Sequence, residues 1–266
     1  MGAQTKEQPK GISIQALLEA GVHFGHQRYR WNPKMDRFIF EERNGIHILD
    51  LSKTIRQMDR AIAVLEKTVQ ERKTILFVGT KKSAKLFVQQ YAEECGEFSV
   101  SERWLGGMLT NLSTIRASIK KLEKIEKKIA SGGEGLLKKE VEKLTKQYHK
   151  LQKYLSGIRS MRKPPGLLVI VDPVKERIAV DEARKLGIPV MAIIDSNGDP
   201  DLIDYPIVGN DDAQKSVKIL LKTLKEAIVA KKEALDIPVA RGEKPIISPT
   251  AKAPKKESKI LEEENE

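Results

Sequence analysis

A single cysteine, Cys95, excludes an intramolecular disulfide and a cysteine-based zinc cluster, so nothing in the chain asks for an oxidising compartment. Long apolar runs are missing too, and none approaches the roughly eighteen residues that a membrane span needs. The first ten residues are polar and lack the apolar core of a signal peptide. The expectation is a protein neither secreted nor membrane-inserted, with the cytoplasm as its default location. Nucleotide-binding signatures are absent as well: no Gly-x-Gly-x-x-Gly follows an apolar run. Gly79-Thr-Lys-Lys-Ser83 lacks the second glycine, followed directly by Lys and Ser or Thr, of a phosphate loop. Cys95 has no close partner for nucleophilic catalysis, and Glu93 and Glu94 oppose its thiolate, so it reads as structural.

What the chain does have is positive charge. Forty-eight Lys and Arg against thirty-seven Asp and Glu give a net charge of +11, which favours an acidic partner, nucleic acid first. The excess is local. Residues 116–163 hold fifteen Lys and Arg against five Glu, and the remainder of the chain is nearly neutral.

Buried-type strands alternate with helices through most of the chain. Thr74–Gly79, Leu167–Asp172 and Val190–Asp195 are continuous apolar runs, with helical periodicity at 52–72, 83–95 and 175–186. Runs apolar on both faces and joined by helices indicate a parallel sheet covered on both sides. Phe98-Ser-Val100 is a weaker strand, and Tyr205-Pro-Ile-Val208 a short edge strand in which proline is tolerated. Asp211 or Asp212 is placed to begin a last helix ending near Lys232. Upstream, Ser13 caps a short helix ending at Gly21. Phe38-Ile-Phe40 and Ile46-His-Ile-Leu49 flank an Asn-Gly turn. Apolar stripes from Leu112 to Ile129 and from Leu137 to Ile158, separated by Gly132, Gly133 and Gly135, form an antiparallel helical hairpin. The fold class is therefore α/β: a three-layer Rossmann-like or flavodoxin-like parallel sheet with an inserted coiled-coil hairpin. Its divisions are a flexible leader at 1–10, an α/β domain from 11–111 and 159–232, the hairpin at 112–158, and a disordered charged tail at 233–266.

The stretch from Ala20 to Phe40 is too basic and aromatic for an ordinary connection. Arg28, Arg30, Lys34 and Arg37 suit phosphates, and His26, Tyr29 and Trp31 offer rings for bases or riboses. Gly21 and Gly25 allow close backbone approach to a partner. Alternatively Phe24, Trp31, Phe38 and Phe40 are core anchors and the arginines a solvated rim. Lys81 and Lys82 follow the first buried strand and can face RNA. Arg103, Trp104 and Asn111 frame a glycine-containing segment before the hairpin, and Arg116 and Lys120 open its basic face. Trp104 can equally be core. Asp172, Asp195, Asp199, Asp201, Asp211 and Asp212 could gather at strand ends to hold Mg²⁺, with His26 joining for a zinc-like site; as readily, such aspartates cap turns and helices.

Gly21-Val-His-Phe-Gly-His26, Trp31-Asn-Pro-Lys-Met35, Ile75-Leu-Phe-Val-Gly-Thr-Lys81 and Arg103-Trp-Leu-Gly-Gly-Met-Leu-Thr-Asn111 occur in this order. They are followed by Leu186-Gly-Ile-Pro-Val190, Asp195-Ser-Asn-Gly-Asp-Pro200 and Gly209-Asn-Asp-Asp-Ala213. The set resembles the bacterial small-subunit ribosomal protein S-two family over residues 12–228. The resemblance implies a flavodoxin-like sheet with a protruding hairpin, bound to small-subunit ribosomal RNA between head and body. It also implies neighbouring small-subunit proteins as partners, among them the large messenger-binding first protein, which it helps to recruit. No catalysis and no required cofactor are implied, although a Mg or Zn ion at residues matching His26, Asp195 and Asp211 is. Two rivals remain on sequence alone: a phosphate- or nucleotide-handling enzyme built on the sheet, and a basic scaffold that binds proteins through its coiled coil.

Overall fold

The computed structural model describes residues 12–131 and 137–239. The expected leader, the glycine-rich tip at 132–136 and the tail beyond 239 lie outside the described residues. The chain opens with α1 (Ile14–Glu19), capped by Ser13, whose side chain accepts from the Ala16 N–H. A small antiparallel sheet follows: β1 (Phe24–Gln27), β2 (Ile39–Arg43) and β3 (Ile46–Leu49), in the order β1-β3-β2. Asn44 and Gly45, at φ 53° and 74°, make the expected hairpin turn. Strand β1 is not legible in the sequence. Its Gly25 and His26 have little strand preference, and what holds it is its pairing with β3.

Next come α2 (Leu51–Gln70), β4 (Ile75–Val78), α3 (Lys85–Cys95), β5 (Phe98–Val100), α4 (Leu112–Ala130) and α5 (Lys138–Leu155). The chain continues through β6 (Leu167–Val171), α6 (Arg177–Lys185), β7 (Val190–Ile194), β8 (Tyr205–Val208) and α7 (Gln214–Ala234). The second sheet is parallel throughout, ordered β5-β4-β6-β7-β8. This is the flavodoxin-like strand order. Every residue of β4, β6 and β7 is buried, as continuous apolar runs require. Helices α2, α3 and α7 cover one face through Met58, Leu65, Val88, Leu220 and Leu224. Helices α4, α5 and α6 contribute Ile119, Leu122, Tyr148, Leu155 and Val180 to the other. Each such side chain is worth about 1.5–3 kcal/mol when fully buried, against 0–1 kcal/mol for an exposed ion pair. The apolar layers, not the surface charges, therefore hold the fold.

Helices α4 and α5 run antiparallel, since Tyr148 reaches Glu126 and Arg159 reaches both Glu123 and Glu126. The buried carboxylate of Glu126 lies 2.6 Å from Nη2 of Arg159. Ile115, Ile119, Leu122 and Ile125 belong to the same apolar cluster as Leu76, Val78 and Leu168 of the sheet, so the base of the hairpin is shared core. Farther out, Leu137 is exposed and Leu144 is partly buried. A pair of helices covers its seam on one side only.

Three helix ends differ from expectation for tertiary reasons. Helix α3 begins at Lys85 because Ser83 is held outside it, its hydroxyl donating to the Asp211 carbonyl. Helix α7 is preceded by a turn in which Asn210, not Asp211 or Asp212, accepts the N–H groups of Asp212 and Ala213. At its other end Lys232 is buried, donating to Cys95 O and Glu97 Oε1, and Ile237 packs on the core beyond it. Cys95 is enclosed there, and burial pushes its thiol up to about 12, which suits the structural role expected for it.

Candidate functional site

In a parallel α/β sheet ligands usually bind outside the carboxyl ends of the strands. Here the small sheet sits over the ends of β7 and β8. Met35 and Leu49 pack on Ile194 and Val208, Asn32 N–H donates to Ser196 O, and His26 N–H donates to Ser196 Oγ. A Cβ on Gly25 would lie 2.9 Å from Ser196 Oγ and 3.0 Å from His47 O. The close approach expected of this glycine is thus made to its own chain.

Below the small sheet lies a cluster of charges. The ammonium of Lys81 is 3.1 Å from Asp172 Oδ2, 2.5 Å from Asp211 Oδ1 and 2.7 Å from Asp212 Oδ1. His26 Nδ1 is 3.1 Å from Asp195 Oδ2, and its Nε2 is 3.3 Å from Asp212 Oδ2. The turn after β4 is filled as well: Thr80 donates both its N–H and its hydroxyl to Glu176 Oε1. A carboxylate of the protein therefore stands where a phosphate loop would hold its phosphate.

The neutralisation is uneven. The Asp195 carboxylate 3.1 Å from its ring raises the His26 pKa, outweighing burial, while burial pushes Asp211 up to about 7, aided by Asp195 and Asp172 and opposed by Lys81. Both groups hold protons in the folded state that the unfolded chain releases at lower pH, so their contribution to stability falls as pH rises through the folded values. Between about pH 6 and about pH 8 the wild type should lose on the order of 1 kcal/mol, read as a lower urea midpoint. Asp211→Asn should flatten that fall, and a variant that keeps the full pH dependence would place its origin elsewhere.

The expected contact residues separate into two groups. Arg28, Tyr29, Arg30, Lys34, Lys82, Arg103, Asn111 and Lys120 are exposed. Arg28 lies 3.5 Å from Glu42, and Lys34 pairs with Asp199 and Asp201. Arg116 is half-buried and donates to the Arg162 carbonyl. His26, Lys81 and Trp104 point inward. Trp31 is half-buried, its ring 5.1 Å from that of His47. Trp104 donates its indole N–H to Glu182 Oε1. The same carboxylate accepts from the N–H groups of Gly107, Leu109 and Thr110 and from the Thr110 hydroxyl. Glu182 on α6 thereby fixes the segment that carries Arg103 and Asn111. Glu176 and Glu182 escaped the sequence reading, because a lone glutamate in a helical pattern carries no sign of burial.

His26, Asp195 and Asp211 are also the group of possible metal ligands, with ligand atoms within 4.8 Å of one another. Asp211 Oδ2 is buried without a hydrogen-bond partner. Among the described residues no helix is long and apolar enough to cross a membrane.

Fold and site define a basic α/β scaffold with a helical hairpin, its strand-end crevice closed by its own side chains. A family model described as Ribosomal protein S2 matches residues 17–231. The small ribosomal subunit protein uS2 of Protochlamydia amoebophila (strain UWE25) is 60% identical over 241 residues, covering 91% of this chain and 89% of that protein. That of Chlamydia trachomatis serovar A (strain ATCC VR-571B / DSM 19440 / HAR-13) is 49% identical over 247 residues, with 93% and 88% covered. That of Chlamydia abortus (strain DSM 27085 / S26/3) is 52% identical over 235 residues, with 88% and 85% covered. The chain belongs to the ribosomal protein S2 family. It is a structural ribosomal protein and not an enzyme, and it needs no cofactor.

Proposed function

We propose that this chain is built into the small subunit of the cytoplasmic ribosome, docking on small-subunit ribosomal RNA between head and body and helping to seat the large messenger-binding protein. The observation that supports RNA docking is the division of charge. Asp172, Asp195 and Asp211 at the strand ends are buried and face Lys81 and His26, while Arg28, Arg30, Lys82, Arg103, Asn111 and Lys120 remain exposed. With those three carboxylates held inside, the exposed cations can meet phosphates without first breaking buried pairs. Lys81 and Trp104 support this surface from within. The lysine-rich hairpin, with Lys120 on the exposed face near its base, extends the footprint.

Joint replacement of Arg28, Arg30 and Lys34 by alanine should weaken binding to small-subunit ribosomal RNA by about tenfold or more and reduce the salt slope by about two to three. The urea midpoint should hold, since the side chains of Arg28 and Lys34 are 72% and 49% exposed. Unchanged affinity would remove this stretch from the interface. Small subunits assembled without the chain should also lack the messenger-binding protein; its normal retention there would overturn the recruitment role.

A second reading concerns a cation at His26, Asp195 and Asp211. One imidazole with two carboxylates suits a zinc-like ion, and the unpartnered Asp211 Oδ2 is a free ligand atom. The Lys81 ammonium beside Asp211 opposes a second positive charge there. Zinc would bridge the small sheet to the end of β7 and the turn after β8.

A further inference from the structure

The small sheet carries an open hollow of about 680 Å³, within the range of ligand sites. Tyr29, Trp31, Ile46, Arg28, Gln27 and Asn44 line it. Tyr29 is 74% exposed, so most of its ring is open to a partner. The guanidinium of Arg30 lies 5.5 Å from the centroid of that ring. Trp31 is steadied against His47 on the inner side.

We propose that this hollow receives one unstacked nucleotide base of the RNA, a reading that rests on the RNA contact proposed above. A paired duplex offers proteins base edges and phosphates but no base faces, so it gives an exposed ring and an apolar floor nothing to cover. An extruded base does. Its face stacks on Tyr29, and Trp31 and Ile46 supply the apolar lining. Gln27 and Asn44 place amide donors and acceptors at the rim, where the edge of a base emerges. Arg28 and Arg30 stand where the flanking phosphates would lie, and ring stacking with cation–π support is the combination that grips single-stranded nucleic acid. The two guanidiniums favour a nucleotide over an aromatic side chain of a neighbouring protein. The Asn44-Gly45 turn, the pairing of Gln27 with Ile46 and the Arg28 N–H bond to Gly45 O fix the backbone around the hollow, so the site is preformed.

The test uses the full chain and a short RNA duplex carrying one bulged 2-aminopurine, compared with the same duplex without the bulge. The bulged RNA should bind about tenfold tighter, with its fluorescence quenched by stacking. Tyr29→Ala should bring the ratio of the two affinities to about one, and Tyr29→Phe should restore it, because only the ring is needed. Equal affinities in the wild type would overturn the inference and leave the hollow to a protein side chain. So would a ratio that survives Tyr29→Ala, or full displacement of the bulged RNA by an equal concentration of AMP, which would mark a free-nucleotide site. Failure of both RNAs to bind in a salt-dependent way would overturn the RNA contact itself.

Discussion

Replacing Glu182 by alanine should destabilise the protein by about 3–5 kcal/mol and release the segment from Trp104 to Thr110. The carboxylate accepts five hydrogen bonds, at 3.1 Å from Trp104 Nε1, 2.7 Å from Gly107 N, and 3.0 Å each from Leu109 N, Thr110 N and Thr110 Oγ1. Leu109 and Trp104 are buried, so their donors would be stranded away from water, and each stranded donor costs about 1–3 kcal/mol. The melting temperature should fall by roughly 10 °C for a chain of this size. Emission from Trp104 should shift to the red as its indole meets solvent. Glu182→Gln keeps an acceptor oxygen and should fall between wild type and alanine. A wild-type melting temperature in Glu182→Ala would show that the segment holds itself.

The same carboxylate predicts an acid limit. Burial raises its pKa, but the donors from Thr110, Trp104, Leu109 and Gly107 outweigh that, and the net shift is downward. A depressed pKa means stability that is present above the unfolded value of 4.5 and lost as pH falls through the folded one. The Trp104 signal should therefore report loosening on the acid side, opposite in sense to the loss toward alkaline pH expected of His26 and Asp211. Because Arg103 and Asn111 flank the anchored segment, its release should also weaken RNA binding without removing a single exposed cation.

Gly157→Ala should cost about 2–4 kcal/mol. A Cβ at this position would lie 2.2 Å from the carbonyl oxygen of Ser99 and 2.4 Å from its hydroxyl. Ser99 is the middle residue of edge strand β5 and is paired with Phe77 of β4. The backbone oxygen cannot swing aside as a flexible side chain would. Either the end of the hairpin lifts from β5, or β5 shifts against β4. Both uncover part of the layer formed by Phe98, Val100, Leu155 and Ile158. Urea unfolding of the purified protein reads the loss, and an unchanged midpoint would mean that the hairpin base is not seated on β5. The functional consequence is geometric, since this seat fixes how the lysine-rich helices stand relative to the sheet.

Much of the scaffold is legible because it rests on short-range rules. The apolar runs at Leu167–Val171 and Val190–Ile194 cannot be solvated on either face, so they had to be central parallel strands, and all their residues are buried. The Asn44-Gly45 turn, the Ser13 cap and the seam of α4 follow equally local chemistry. The ordered motifs from Gly21 to Ala213 carried the family as well. Site residues were a different matter. Arg28, Arg30 and Lys81 look alike in sequence, yet the first two are exposed and the last is held by three aspartates. Trp104 and Tyr29 look alike too, one an anchor bonded to Glu182 and the other almost bare.

The sequence by itself determined the periodicities, the turn chemistry, the segregation of positive charge onto residues 116–163 and the family. Each depends on neighbours in the chain or on an ordered set of motifs. Only the tertiary structure decided which charges are neutralised inside. Lys81 meets Asp211 across 130 positions, Gly107 meets Glu182 across 75, and His26 meets Ser196 across 170. Whether a lysine serves an internal carboxylate or an external phosphate depends on what the fold brings within about 3 Å of it, and that distance is set by packing rather than by local sequence.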